Sequence, residues 1–123
     1  MNEPDANIHQ PTRLRIMALL SGVHEADFNF LLSTLALTNG NLSVQTGKLE
    51  QAGYLEITKS FVGKMPHTVY RLTDLGRMRL NEYWVAIDAL RAVAQQPNAT
   101  QEAKPQPRRE AGVELAPASP KGV

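Results

Sequence analysis

Four side chains within one short stretch have the types and spacing to read the edges of stacked bases: Asn41, Val44, Gln45 and Lys48. In a helix, positions i, i+3, i+4 and i+7 share one face. Two amides, a small apolar group and a cation would then form one exposed stripe. Amides pair with adenine edges, an apolar side chain touches the thymine methyl, and lysine meets guanine or phosphate. The opposite stripe, Leu42, Thr46, Leu49 and Ala52, carries the groups that should turn inward. Taken alone, the pattern also describes an ordinary solvated helix face, so the elements around it must decide.

Other chemistry finds less support. His9, His24 and His67 are far apart in the chain. His24 with Glu25 and Asp27 makes half of a metal site at most, and a link carrying a helix cap describes it better. No nucleophile, base and orienting group fall together, and Gly40 and Gly47 fit no phosphate-binding loop. An enzyme, a metal site and a bound cofactor are therefore not expected. The 123 residues include no cysteine, which excludes disulfides and thiolate metal sites. No apolar run approaches the roughly 18 residues of a membrane span, and the acidic start Met1-Asn2-Glu3-Pro4-Asp5 is no signal peptide. A cytoplasmic protein is expected. The net charge is only +1, so any nucleic-acid binding must rest on local placement of cations.

The flanking elements can position the stripe. Residues 1–10 read as a loose arm docking through Ile8. Pro11 suits a first helical turn, and the helix to Leu20 closes at Ser21-Gly22, with Arg13 and Arg15 exposed. Asp27 can cap a second helix from Phe28 to Ala36, whose Phe28, Leu31, Leu32 and Leu35 form an apolar stripe. After a short turn, Thr38 or Asn39 caps the third helix, and Gly53 ends it in a left-handed conformation. The period then changes to two: Leu55, Ile57 and Lys59 alternate with Glu56, Thr58 and Ser60. Residues 62–68 read as a loop, and Val69–Leu72 as the returning strand. Thr73 caps a long last helix running to about Ala94, roughly 30 Å at 1.5 Å per residue. Its stripe of Leu80, Tyr83, Trp84, Ile87 and Leu90 exceeds what a small core covers, which predicts a partner there. Five of the eight prolines lie from Pro97 onward, so residues 97–123 read as a disordered tail. The expectation is a mainly α (α+β) domain over residues 11–96: three helices, a two-stranded hairpin and a long terminal helix.

Pro11–Leu20, Lys48–Leu55 and Tyr70–Arg77 resemble the winged helix-turn-helix regulators related to the MarR and ArsR families. Phe61-Val62-Gly63-Lys64-Met65-Pro66-His67-Thr68 is similar to the wing of a compact bacterial branch, Phe-Val-Gly-Lys/Arg-x-Pro-x-Thr. The resemblance implies a homodimeric transcriptional repressor on a palindromic operator of double-stranded DNA. It places Asn41, Ser43, Val44, Gln45 and Lys48 on or beside bases. It places Lys64, His67, Thr68 and Arg71 near phosphates, with the backbone N–H groups of Asn39 and Gly40 offered to another. A small hydrophobic effector would fit between the terminal helix and the core. Three departures lower the electrostatic contribution to affinity or the helix stability: Thr46 at an inward position, Gly47 in mid-helix where relatives carry arginine, and Met65 with His67 at the wing tip. The alternative is a winged-helix module that binds a protein partner, with weak or no DNA binding.

Overall fold

A computed structural model describes residues 3–96, so the expected tail at 97–123 lies outside the described residues. The order is α1 (Pro11–Leu20), β1 (Ala26–Asp27), α2 (Phe28–Leu35), α3 (Asn39–Gln51), β2 (Leu55–Val62), β3 (Met65–Leu72) and α4 (Asp74–Ala94). None of these helices is long and apolar enough to cross a membrane.

The helix ends follow from local chemistry. Gln10 caps α1, its side chain accepting from the Arg13 N–H, while Pro11 occupies the start. Asp27 caps α2 by accepting from the Phe30 N–H at 2.8 Å. Helix α2 ends one residue earlier than expected, because Ala36 adopts the left-handed conformation, φ 55° and ψ 48°. The Arg15 guanidinium donates to the C-terminal end of this helix at the Leu35 carbonyl. Of the two candidates at the start of α3, Thr38 is the cap, accepting from the Asn41 N–H at 3.1 Å. At the other end Gly53 takes φ 85°, the Tyr54 N–H bonds to the Leu49 carbonyl, and the Gly53 N–H bonds to that of Glu50. This is a Schellman closure, which needs a residue free to enter the left-handed region.

The sheet has three antiparallel strands in the order β1-β3-β2. Strand β1 stands where a polar link was expected. It is two residues long, pairing Ala26 with Tyr70 and Asp27 with Val69, and is too short for alternation to reveal. The hairpin also differs from expectation. Val62 pairs with Met65, so the turn is only Gly63-Lys64 and the loop expected at 62–68 is strand. Gly63 has φ 64° while Lys64 does not enter positive φ, as a two-residue turn with glycine first requires. Pro66 had argued for a loop. It sits opposite Phe61, one position beyond the hydrogen-bonded pair that closes the turn. Its missing N–H therefore points away from β2, and β1 does not extend that far, so no ladder bond is lost.

The core joins Ile16, Met17 and Leu20 of α1, Leu31 and Leu35 of α2, Leu42 and Leu49 of α3, Leu55, Tyr70 and Leu72 of the sheet, and Leu80 and Tyr83 of α4. The arm is docked firmly: Ile8 is fully buried, the Tyr54 hydroxyl donates to Asp5, and Tyr83 Oη lies 2.8 Å from His9 Nδ1. Burial, then the neighbouring Asp5 carboxylate, raise the Tyr54 pKa. The chain divides into one compact unit ending at Ile87 and a second beginning at Asp88. In the first, Leu80 and Tyr83 are core residues, which corrects their expected place on a partner face. Trp84 and Val85 are exposed there, with Trp84 edge-on to Tyr83, and Ile87 is half-buried. In the second, Leu90 and Val93 are exposed and Arg91 pairs with Asp88.

Candidate nucleic-acid interface

Helix α3 buries the face that the spacing predicts, but of the expected outer stripe only Val44 and Lys48 are exposed, while Asn41 and Gln45 are half-buried. Leu42, Thr46 and Leu49 are buried, and Ser43, Val44 and Lys48 are exposed. Val44, at 53% exposure, stands on the side opposite this core stripe. The Thr46 hydroxyl donates to the Leu42 carbonyl at 2.8 Å, which satisfies its donor within its own helix. Tyr70 lies beside it; burial raises its pKa, and the Thr46 hydroxyl works the other way. At the helix start Thr38 satisfies Asn41, and Asn39 and Gly40 are exposed with open backbone N–H groups. A capped, exposed helix start of this kind favours an anion.

Asn41 and Gln45 are half-buried, because they lie on the flank of α3 that meets α1. Arg13 reaches across from α1: its Nη1 donates to Gln45 Oε1 at 2.7 Å and its Nε to the Asn7 carbonyl at 2.6 Å. Gln45 Nε2 in turn donates to Asn41 Oδ1 at 3.2 Å. The expectation that Arg13 is exposed is therefore corrected: it is half-buried and tied to both the arm and α3.

The other flank of α3 meets the hairpin. Strand parity puts Leu55, Ile57, Lys59 and Phe61 on one face with their partners Leu72, Tyr70, Thr68 and Pro66. This is the core face, and toward the turn it runs out past the core into the wing. Ser43, Gly47, Lys59 and Thr68 line a cleft of about 500 Å³ between α3 and the wing. Lys64 is exposed at the turn. His67 and Arg71 belong to the other face, with Val69. Arg71 lies at the base of the hairpin, paired with Glu56. It therefore does not join Lys64 and Thr68. Lys59 stands beside Thr68 instead, and the alternation of Leu55, Ile57 and Lys59 already carried the signal. Arg13 was legible only as a cation on α1, since nothing in its spacing points to Gln45.

A second cleft, at the base of α4, is lined by His24, Glu50, Glu56, Arg71, Asp74 and Arg77. Leu55, Ile57 and Leu72 line it between these charged groups.

Comparison with known proteins agrees with this geometry. The family model of the winged helix DNA-binding domain matches residues 12–91. An uncharacterized protein of Methanocaldococcus jannaschii is 38% identical over 71 residues, covering 58% of this chain and 77% of that one. The structure of a transcriptional regulator homologue from Pyrococcus horikoshii OT3 superposes with a TM-score of 0.69 at 28% identity, covering 73% of this chain and 89% of that one. A putative transcriptional regulator, ytfH, from Salmonella typhimurium shares the fold, with a TM-score of 0.59 at 22% identity over 79% and 86% of the two chains. The chain belongs to the winged helix DNA-binding domain family, and it is a DNA-binding transcription regulator.

Proposed function

We propose that this regulator is a homodimeric repressor that binds a palindromic operator through α3 and the wing. Helix α3 enters the major groove with Asn41, Ser43, Val44, Gln45 and Lys48 on or beside the bases. Lys64, Thr68 and Lys59 approach the backbone from the wing, His67 lies at its side, and the N–H groups of Asn39 and Gly40 meet a phosphate. Arg71, paired with Glu56 at the base of the hairpin, is replaced in this reading by Lys59. The observation that carries the proposal is the placement of Val44 and Lys48 on the solvent side of a capped helix, with Lys59 of the wing along one flank.

The second copy docks on α4 through Trp84 and Val85, with Ile87 half-buried beside them; two exposed apolar groups of this size support that reading. Repression follows because a bound dimer blocks access to the DNA, a step that rests on family analogy. A small hydrophobic effector would act between α4 and the core. The protein would work in the cytoplasm and catalyse no reaction.

Selection from a pool of random duplexes tests the proposal. An enriched inverted repeat is expected. The same exposed groups on α4 favour the second reading, a module for a protein partner, and a pool without enrichment at low salt would support it.

A further inference from the structure

Three side chains on the α1 flank of α3 form a hydrogen-bonded relay whose polarity is set at one end. Arginine has five N–H donors and no acceptor. The Gln45 atom that faces Arg13 must therefore be its amide oxygen, at 2.7 Å. That turns the Gln45 amide nitrogen toward Asn41 at 3.2 Å, so the atom Asn41 offers in return must be its oxygen. One lone pair of each amide oxygen is thereby taken up, and the Asn41 NH2 group makes no hydrogen bond among the described residues. The Arg13 fork is itself fixed, since its Nε donates to the Asn7 carbonyl at 2.6 Å in the docked arm. All three side chains are half-buried, where bonds to a charged group count for more than on an open surface.

An unconstrained asparagine reads adenine by using its oxygen and its nitrogen together, accepting from N6 and donating to N7. With one lone pair of its oxygen held by Gln45 and its NH2 group unpaired among the described residues, Asn41 meets the groove first as a donor. Guanine offers two acceptors in the major groove, N7 and O6, and no donor there. We propose that Arg13 is a positioning residue that sets the base preference of Asn41, through Gln45, to guanine over adenine. This rests on the reading of α3 as the groove-facing helix. Arg13 touches no base in this account. It acts by fixing which end of each amide faces the DNA.

The test is the base preference of the full chain, read by duplex selection and then by titration of single-site variants of the selected duplex. The wild type is expected to prefer guanine to adenine at one position per half-site by about tenfold, within the range of a good bidentate contact. Arg13→Met is expected to reduce that ratio to about one at that position while leaving the other positions unchanged. Arg13→Lys, which keeps a donor-only group, is expected to retain most of the preference. Loss of a merely structural contact would weaken all sequences alike. If Arg13→Met fails to fold, Gln45→Met breaks the same relay from α3 and is expected to lose the preference at the same position. Survival of the guanine preference in a folded Arg13→Met or Gln45→Met protein overturns the inference, as does a wild-type preference for adenine there. A wild type that enriches no sequence instead removes the groove-facing reading itself.

Discussion

Gly76 lies against the backbone of Tyr54, so closely that a Cβ at position 76 would stand 2.2 Å from the Tyr54 carbonyl oxygen. The contact joins the end of α3 to the start of α4. Thr73 reinforces it: its hydroxyl donates to the Gly53 carbonyl at 2.6 Å and accepts from the Gly76 N–H at 2.9 Å. The obstacle is backbone and cannot swing aside. Gly76→Ala is expected to destabilise the domain by about 3 kcal/mol, at the upper end for overpacking. Urea denaturation with an unchanged slope checks it, and a loss near zero would mean that α4 starts elsewhere.

Ala36 is the only residue other than glycine with positive φ among the described residues. The left-handed region costs an L-residue roughly 1–2 kcal/mol, and glycine regains part of that as backbone entropy on unfolding. Ala36→Gly is expected to stabilise the turn between α2 and α3 by about 0.5–1 kcal/mol. A measured loss of stability on denaturation would contradict the conformation described for this turn.

Gly47 tests the opposite case. It lies inside α3 with ordinary helical backbone, and nothing stands within 4 Å of an added Cβ. Gly47→Ala is expected to raise stability by about 0.5–1 kcal/mol through helix propensity alone. A rise in melting temperature with unchanged DNA affinity would fit. A fall in affinity would instead place this flank of α3 in direct contact with the DNA backbone.

The two sides of α4 should separate folding from assembly. Leu80 is 2% exposed and Val85 is 67% exposed. Leu80→Ala is expected to cost about 3 kcal/mol of stability, as cavities in packed cores do. Val85→Asp is expected to leave the melting of the isolated subunit nearly unchanged while shifting sedimentation from dimer to monomer. A wild type that sediments as a monomer at micromolar concentration would end the dimer proposal.

Where the sequence was legible, short-range chemistry decided the outcome. Pro11, Asp27, Thr38, Gly53 and Thr73 each act on atoms within a few residues, and each marks an element end in the fold. What stayed hidden depends on partners distant in the chain. Strand β1 exists only because Tyr70 and Val69 lie beside Ala26 and Asp27. Pro66 is tolerated inside β3 because its missing donor faces no neighbour, a consequence of register that composition does not reveal. The apolar stripe of α4 gave no way to tell that Leu80 and Tyr83 stay within the subunit. Arg71 read as a wing cation until the pairing of β2 with β3 put it opposite Glu56.

The wing cations should act on affinity without altering preference. Lys59→Ala and Lys64→Ala are each expected to weaken binding alike on all duplexes and to lower the salt slope by about one. A changed base preference in either variant would move that lysine from the backbone to a base edge.

The most direct measurement is a fluorescence anisotropy titration of the full chain against the selected duplex and a scrambled duplex of the same length, at two salt concentrations. A specific regulator is expected to prefer the selected duplex by about a thousandfold, with affinity falling steeply as salt rises. Equal affinity for the two duplexes at both salt concentrations would contradict sequence-specific recognition through α3.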